Sequence, residues 1–141
     1  MFILDTNVVS ELRKVQSGKA SSRLVEWADS VSASDLYVSA ITIMELEIGV
    51  LQMERRDVLQ GAALRHWLGT HVFPSFVGRI LPVDMDVAQR CAHLHVPDRR
   101  SERDALIAAT ALVHGMTVAT RNVADFASTG VPLLNPWDTI S

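Results

Sequence analysis

Short apolar segments alternate with longer segments of helical periodicity along this chain of 141 residues. The apolar segments have the length of buried strands rather than of helices. They are residues 2–4, 36–39, 79–83, 116–119 and 131–134. Strands separated by helices favour a mainly parallel sheet that is covered by helices on both faces. We therefore predict an α/β fold, with a single domain over residues 1–141.

Helices are predicted from the apolar spacing and from residues typical of helix ends. Thr42, with Glu45 three residues later, has the pattern of an N-terminal capping box for a helix that runs to Leu51. Pro74 is expected to end a long helix, and Gly115 is a typical C-terminal glycine. The predicted helices begin near Asn7 and then span residues 21–32, 42–51, 56–73, 84–95 (from Asp84 or Asp86) and 101–115.

The composition argues against several classes of protein. Hydrophobic residues make up 48% of the chain, which is enough for a sizeable core, so a disordered chain is not expected. No apolar stretch reaches the roughly 18 residues of a membrane span, and the N-terminus lacks the features of a secretory signal. Cys91 is the single cysteine, which fits a reducing compartment. We expect a cytoplasmic protein without a membrane partner.

Four acidic residues occupy similar places in the predicted fold. Asp5 and Asp125 follow buried strands, whereas Glu45 and Asp104 lie in the first turns of apolar helices. Each has a structural alternative as a helix cap or a solvated loop acid. In a parallel α/β sheet, however, the strand C-termini and the following helix N-termini meet at one edge, where four carboxylates can converge. Their mutual repulsion would be relieved by a hard divalent cation such as Mg²⁺, which predicts phosphodiester chemistry.

The net charge of −3 does not exclude a nucleic-acid partner. Four of the sixteen acidic residues are the candidate ligands, and two divalent cations would change the balance from −3 to −3 + 4 = +1. Local charge matters more than the net value, and basic residues do cluster. The clusters, each of which could equally be a solvated turn, are Arg13-Lys14, Arg55-Arg56 and Arg99-Arg100 with Arg103.

A set of segments occurs in a recognisable order: Leu4-Asp5-Thr6-Asn7-Val8-Val9-Ser10-Glu11, Ser39-Ala40-Ile41-Thr42 through Glu45 to Gly49-Val50, Gly78-Arg79-Ile80-Leu81-Pro82, Asp104 with Ile107-Ala108-Ala109-Thr110-Ala111, Thr117-Val118-Ala119-Thr120-Arg121-Asn122, and Asn135-Pro136-Trp137. Together these segments resemble the PIN-domain family, and most closely its bacterial VapC-like toxins of the FitB-like group. The resemblance runs in order over nearly the whole chain. It implies a three-layer α/β/α sandwich around a short parallel sheet, and RNA cleavage that depends on Mg²⁺ or Mn²⁺.

The resemblance also implies roles for individual residues. The acidic positions of the family correspond to Asp5, Glu45, Asp104 and Asp125. Among these, Asp5 and Asp104 are expected to bind the metal directly, and Glu45 to bind metal or orient the attacking water. The fourth acid varies within the family, so a direct role for Asp125 stays open. The supporting polar positions correspond to Thr6, Asn7, Thr120 and Asn122.

The implied function is that of a ribonuclease toxin of a type II toxin–antitoxin system. Such a toxin has a VapB-like antitoxin, whose C-terminal segment wraps it and in some relatives inserts an arginine. A homodimer is also implied, and the apolar residues near Ile48, Val50, Leu51 and Met53 agree with it. The chain has no evident DNA-reading motif, so DNA is expected to be contacted only through the antitoxin.

Two alternatives stay open. An aspartate after the first strand also suggests an aspartyl-phosphate phosphatase, but that chemistry needs an acid at position 7, where this chain has Asn7. The other alternative is a PIN-fold module that binds RNA or protein without cutting, within a DNA-bound toxin–antitoxin complex. Metal-dependent turnover distinguishes this module from a nuclease.

Overall fold

The computed structural model describes residues 1–138 and contains a parallel sheet of five short strands. Residues 139–141, which the single-domain prediction includes, lie outside the described part. The strands are β1 (Phe2–Leu4), β2 (Leu36–Ser39), β3 (Ile80–Leu81), β4 (Thr117–Ala119) and β5 (Leu133–Leu134). Their order across the sheet is β3-β2-β1-β4-β5, and all four pairings are parallel. The first strand is therefore central, with its C-terminal end between those of β2 and β4.

Helices connect the strands and cover the sheet. They are α1 (Thr6–Leu12), α2 (Ser22–Ser30), α3 (Ala40–Arg56), α4 (Val58–Trp67), α5 (Phe73–Ser75), α6 (Met85–Leu94), α7 (Glu102–His114) and α8 (Val123–Phe126). A π-helical segment, Leu68–Val72, joins α4 to α5, and short 3₁₀ turns occupy Ala33–Asp35 and Ala127–Thr129. As predicted, Asp84 caps α6, and Gly115 ends α7 with a φ of 67°. No helix in this described part combines the length and apolar character needed to cross a membrane.

Successive residues of the central strands bury opposite faces of the sheet, as the pleat requires. Ile3 and Val118 pack on one face and Leu4 and Ala119 on the other, and all four are fully buried. The first face is covered by α7 and α8 through residues such as Ile107, Ala108 and Phe126. The second is covered by α2, α3 and the π-helical segment through Leu24, Leu46 and Leu68. The predicted three-layer α/β/α architecture is confirmed.

The predicted start of α3 at Thr42 is wrong. The helix begins at Ala40, because the Ser39 hydroxyl accepts a hydrogen bond from the Ile41 N–H at 3.0 Å and caps it. Thr42 is fully buried inside the helix, where its hydroxyl faces α1. Glu45 therefore lies in the second turn and does not form the capping box that its spacing suggested.

The helix predicted over residues 56–73 is present but differs in its bounds and character: it begins at Val58, is π-helical over Leu68–Val72, and continues through Pro74 to Ser75, so Pro74 does not end it. α3 continues past Leu51 to Arg56, and the extended Asp57 caps a new helix by accepting from the N–H groups of Leu59 and Gln60, both at 3.1 Å. The chain thereby reverses, so that α4 packs back along α3. At Gly61 the backbone of α4 comes very close to that of α3, since a Cβ added there would lie 2.5 Å from the Cα of Glu54.

Two predicted strands are shorter than expected. The strand predicted over 79–83 is reduced to Ile80–Leu81, and the one predicted over 131–134 is reduced to Leu133–Leu134. Pro82 and Pro132 flank these pairs, and proline cannot donate to a strand ladder. Both strands lie at edges of the sheet, so their length does not alter the central strands that carry the candidate site.

Candidate functional site

Asp5 stands at the C-terminal end of the central strand β1 and is only 7% exposed. Its Oδ1 accepts from the Thr6 N–H at 2.8 Å, so that it caps α1. Its Oδ2 accepts from the Thr120 hydroxyl at 2.8 Å, across 115 residues of sequence. Thr120 directly follows β4, which pairs with β1, and it is itself fully buried. Two adjacent strands thus hold one carboxylate in a fixed orientation.

The predicted supporting residues extend this network. Asn7 donates its side-chain amide to Asp5 Oδ2 at 3.3 Å and accepts the Arg121 N–H through Oδ1, also at 3.3 Å. Asn122 contributes its backbone N–H, which donates to the Thr120 hydroxyl at 3.0 Å. The side chain of Asn7 therefore joins the ends of β1 and β4, while the exposed Asn122 acts on Asp5 only through Thr120.

Glu45 is half-buried and fixed from two directions. The Thr6 hydroxyl donates to its Oε1 at 2.7 Å, and the Thr42 hydroxyl lies 3.2 Å from the same Thr6 oxygen. Its Oε2 lies 3.6 Å from a guanidinium nitrogen of Arg103. The α3 carboxylate is thus tied both to α1 and to α7.

Asp104 lies in the first turn of α7, which Ser101 caps by accepting the Asp104 N–H at 3.5 Å. Its carboxylate is half-buried and lines the same cleft as Asp5 and Glu45. The sequence prediction that acids from strand ends and helix starts meet at one edge therefore agrees with the geometry for three of the four acids. Their catalytic roles stay a prediction.

Asp125 differs from the other three acids. It follows β4 as predicted, but it is exposed in the short helix α8 and does not line the cleft. Its negative charge nevertheless contributes to raising the pKa values of Asp5 and Asp104. Asp125 is therefore close enough to act electrostatically on the site without facing into it.

The cleft has a volume of about 470 Å³ and contains residues that sequence reasoning did not assign to a site. Lys14 pairs with Glu11 at 3.2 Å, while Arg121 places its guanidinium 5.3 Å from the centre of the Trp137 ring. The sequence did hold one signal for Arg121, because it lies between two predicted supporting positions. The full lining comprises Asp5, Thr6, Asn7, Ser10, Glu11, Lys14, Glu45, Asp104, Arg121, Asn122 and Trp137.

The electrostatics of the cleft favour a cation. Burial raises the pKa of Asp5 above its ordinary value, against the lowering effect of the hydrogen bonds from Thr120 and Thr6. The pKa of Asp104 is raised as well, first by burial and then by the negative charges of Asp5, Asp125 and Glu45. Both shifts mean that the ionised carboxylates are insufficiently stabilised by the protein alone.

The donor set fits a metal held by few protein ligands. Among residues 1–138 there is no group of three or more His, Cys, Asp or Glu side chains arranged to enclose a metal ion. Glu45 pairs with the Arg103 cation, whereas within residues 1–138 neither Asp5 nor Asp104 forms a salt bridge, and the pKa values of both are raised. Mg²⁺ commonly binds through one or two carboxylates and completes its shell with water and phosphate oxygens. The cleft suits that mode of binding.

A second, more apolar cavity of about 350 Å³ lies elsewhere on the surface. Its wall combines apolar side chains with three basic ones and contains none of the four candidate acids. The lining comprises Val9, Leu12, Arg13, Val15, Gln16, Ala33, Leu36, Trp67, His71, Val72, Ser75, Phe76 and Arg79.

The fold and the site together define a class of α/β protein. Its members have a short parallel sheet between helical layers and acidic residues beyond the end of the central strand. The family model described as PIN domain matches residues 2–131, and the chain belongs to this family. The chain is similar to the VapC ribonuclease Y4jK of Sinorhizobium fredii, with 38% identity over 98% of this chain and 99% of that protein. It is also similar to Toxin FitB of Neisseria gonorrhoeae, with 39% identity over 97% and 99% of the two chains.

Solved structures support the same grouping. The crystal structure of FitAcB from Neisseria gonorrhoeae matches with a TM-score of 0.88 and 37% identity, over 99% of this chain and 100% of the matched chain. The structure of FitAB bound to an IR36 DNA fragment matches with a TM-score of 0.85 and 35% identity, over 100% and 99% of the two chains. The predicted membership of the FitB-like group of VapC-like PIN domains is confirmed.

Proposed function

We propose that this protein is the ribonuclease toxin of a type II toxin–antitoxin pair and that it hydrolyses RNA phosphodiesters with the help of a divalent cation. The observation that carries the proposal is the meeting of Asp5, Glu45 and Asp104 in one cleft. The names of the similar proteins, VapC ribonuclease and Toxin FitB, support it.

In this proposal Asp5 and Asp104 hold Mg²⁺ or Mn²⁺. When bound, such a cation supplies a Lewis acid that activates water and offsets charge on the phosphodiester. Thr120, Thr6 and Asn7 fix the Asp5 carboxylate before any ligand arrives, so little reorganisation is needed on binding. Glu45, oriented by the Thr6 hydroxyl, is the candidate to position the attacking water.

The proposed partners are an RNA substrate, a VapB-like antitoxin and a second copy of this chain. The similar solved structures of FitAcB and of FitAB bound to a DNA fragment support an antitoxin partner and a complex that can bind DNA. We propose that this chain contacts DNA only through the antitoxin, because it has no evident DNA-reading motif. The apolar cavity is a candidate surface for part of that antitoxin, because its apolar wall would bury an apolar segment. An RNA substrate and a DNA-binding antitoxin would both be met in the cytoplasm, the compartment that we propose.

The decisive experiment is cleavage of a labelled RNA by the purified protein in Mg²⁺, in Mn²⁺ and in EDTA. We expect cleavage in at least one of the two metals, no cleavage in EDTA, and loss of at least about a hundredfold in rate for Asp104→Asn. Asp86→Asn is a matched control, because Asp86 is an exposed acid in the first turn of α6 and does not line the cleft. Full activity of the Asp104 variant would refute the site.

A readout other than activity tests the metal itself. A ligand that binds only the folded state raises the melting temperature by mass action. Mg²⁺ or Mn²⁺ should therefore raise the melting temperature of the parent and of the Asp86 control, but not that of Asp104→Asn. If the parent binds RNA and metal without cutting any RNA, the non-cleaving PIN module becomes the better description.

A further inference from the structure

We propose, on the basis of the proposed ribonuclease function, that Arg121 binds a phosphate of the RNA backbone next to the cleavage position. We further propose that Trp137 and Asn135 are positioning residues that hold Arg121 at the mouth of the cleft. Three observations carry this inference: the backbone of Arg121 is fixed on both sides, its guanidinium lies over the Trp137 ring, and within residues 1–138 that guanidinium forms no hydrogen bond or salt bridge, although its charge does act on Glu11.

The backbone of Arg121 is held by two asparagine side chains. Its N–H donates to Asn7 Oδ1 at 3.3 Å, and its carbonyl accepts from Asn135 Nδ2 at 3.3 Å. The same Asn135 accepts the N–H of Trp137 through Oδ1 at 2.9 Å. One side-chain amide thus links Arg121 to Trp137, and Asn7 links Arg121 to the Asp5 carboxylate.

The side chain of Arg121 is oriented by contact with an aromatic ring rather than by a salt bridge. Its guanidinium carbon lies 5.3 Å from the centre of the Trp137 ring, within the range of a cation–π contact. Within residues 1–138 the guanidinium makes no hydrogen bond or salt bridge. A planar donor fork that is held in place with its N–H groups free is suited to a phosphate.

The other cations at the cleft are already engaged. Lys14 lies 3.2 Å from a Glu11 carboxylate oxygen, and Arg103 lies 3.6 Å from Glu45. A nucleic-acid backbone brings negative charge toward a cleft that is rich in carboxylates, so it needs a free cation there in addition to any metal. Among these three cations, Arg121 is the one that can bind phosphate without first giving up a carboxylate.

The test compares Arg121→Gln with Arg56→Gln in the full chain. Arg56 is a matched control, because it is exposed at the far end of α3, about 16 Å along the helix from Glu45 at about 1.5 Å per residue. The probe is a fluorescein-labelled single-stranded RNA of mixed sequence. Its dissociation constant is measured by anisotropy in EDTA over a series of salt concentrations, and KM and kcat are measured in the activating metal.

We expect Arg121→Gln to raise both the dissociation constant and KM about tenfold, with kcat changed by less than about twofold. The slope of log affinity against log salt should fall in magnitude by about 0.7, the value for one lost phosphate contact on a single strand. Arg121→Lys should keep that slope while losing part of the affinity. Trp137→Leu and Asn135→Ala should raise KM with the slope retained, because they leave the charge in place.

The inference is overturned if Arg121→Gln matches Arg56→Gln in dissociation constant, KM and salt slope. It is also overturned if only antitoxin binding is weakened, because the site would then recognise an acidic protein segment. If Arg121→Gln fails to fold, an Arg121→Lys variant that retains full affinity would count against a bidentate phosphate contact. A parent that cuts no RNA in any metal refutes the proposed function instead, while the binding measurements in EDTA still test Arg121.

Discussion

At the scale of single residues, the ionised Asp104 carboxylate lowers the stability of the folded protein when no metal is bound. Its pKa is raised by burial and by the charges of Asp5, Asp125 and Glu45, so the folded protein binds a proton there more tightly than the unfolded chain does. The contribution of Asp104 to the free energy of unfolding is therefore most favourable at low pH. It becomes less favourable as the pH rises above 3.8, the ordinary pKa of an aspartate.

We predict that Asp104→Asn makes the metal-free protein more stable at pH 7, by up to about 1 kcal/mol, since the half-exposed group is screened by solvent. The gain should shrink as the pH is lowered and vanish below about pH 3.8, where the parent carboxyl is protonated in both states. Urea unfolding of both proteins in EDTA at a series of pH values measures this difference in stability. A variant less stable than the parent at pH 7 would mean that Asp104 acts mainly as a structural cap of α7.

The residues of the cleft were predictable to different extents. Asp5, Glu45 and Asp104 could be placed together because strand and helix order alone determines which chain positions meet at one sheet edge. The contact of Arg103 with Glu45 and the cation–π contact of Arg121 with Trp137 could not be predicted, because they depend on rotamers of long side chains from segments far apart in sequence.

At the scale of elements, the hairpin of α3 and α4 depends on one glycine. Adding a Cβ to the buried Gly61 would bring it within 3.0 Å of three atoms of Glu54, including backbone atoms that cannot move aside cheaply. Arg65 closes the same hairpin by donating to Glu47 at 2.9 Å and to Glu54 at 3.1 Å.

We predict that Gly61→Ala destabilises the protein by about 1–3 kcal/mol through this steric conflict. Gly49→Ala should act in the opposite direction, by about 0.5–1 kcal/mol, because Gly49 lies in the interior of α3 with open space around its Cα. The midpoints of denaturant unfolding are measured for both variants and compared with that of the parent. Equal effects of the two substitutions would show that helix propensity, rather than close packing, governs both sites.

The errors in the predicted helix boundaries have different local causes. Periodicity predicted helix correctly on both sides of Asp57, but it contains no information on where the chain must turn to pack back on itself. Asp57 ends α3 and caps α4, and the sequence prediction, which ended the first helix at Leu51, did not use this local signal. At Thr42 the opposite happened, because an attractive capping pattern concealed a threonine that is buried against α1.

At the scale of the whole molecule, part of α3 remains apolar and exposed. Met44 is 40% and Leu51 is 51% exposed, and together with Ile48 they share one helical face. Val50, which was expected in the same group, is only 2% exposed and belongs to the core. This face is a candidate contact between two copies of the chain.

We predict that the protein is a homodimer and that Leu51→Glu weakens the dimer at least tenfold, because each copy would bury an unpaired charge. Val77→Glu is the control, since Val77 is 74% exposed and is not on α3. Light scattering over micromolar to millimolar concentrations measures the mass. A monomer mass for the parent throughout that range would contradict the dimer, and an unchanged dimer in the Leu51 variant would contradict this interface.

The bond between Asp5 and Thr120 also has a consequence for synthesis, because it joins residues that leave the ribosome 115 positions apart. At about 5–20 residues per second, that interval is roughly 6–23 s. Throughout it the nascent chain carries its first carboxylate without β4 beside β1 and without the hydroxyl that orients the acid. A partly made chain therefore cannot complete the cleft on which the proposed nuclease activity depends until β4 and Thr120 have been made.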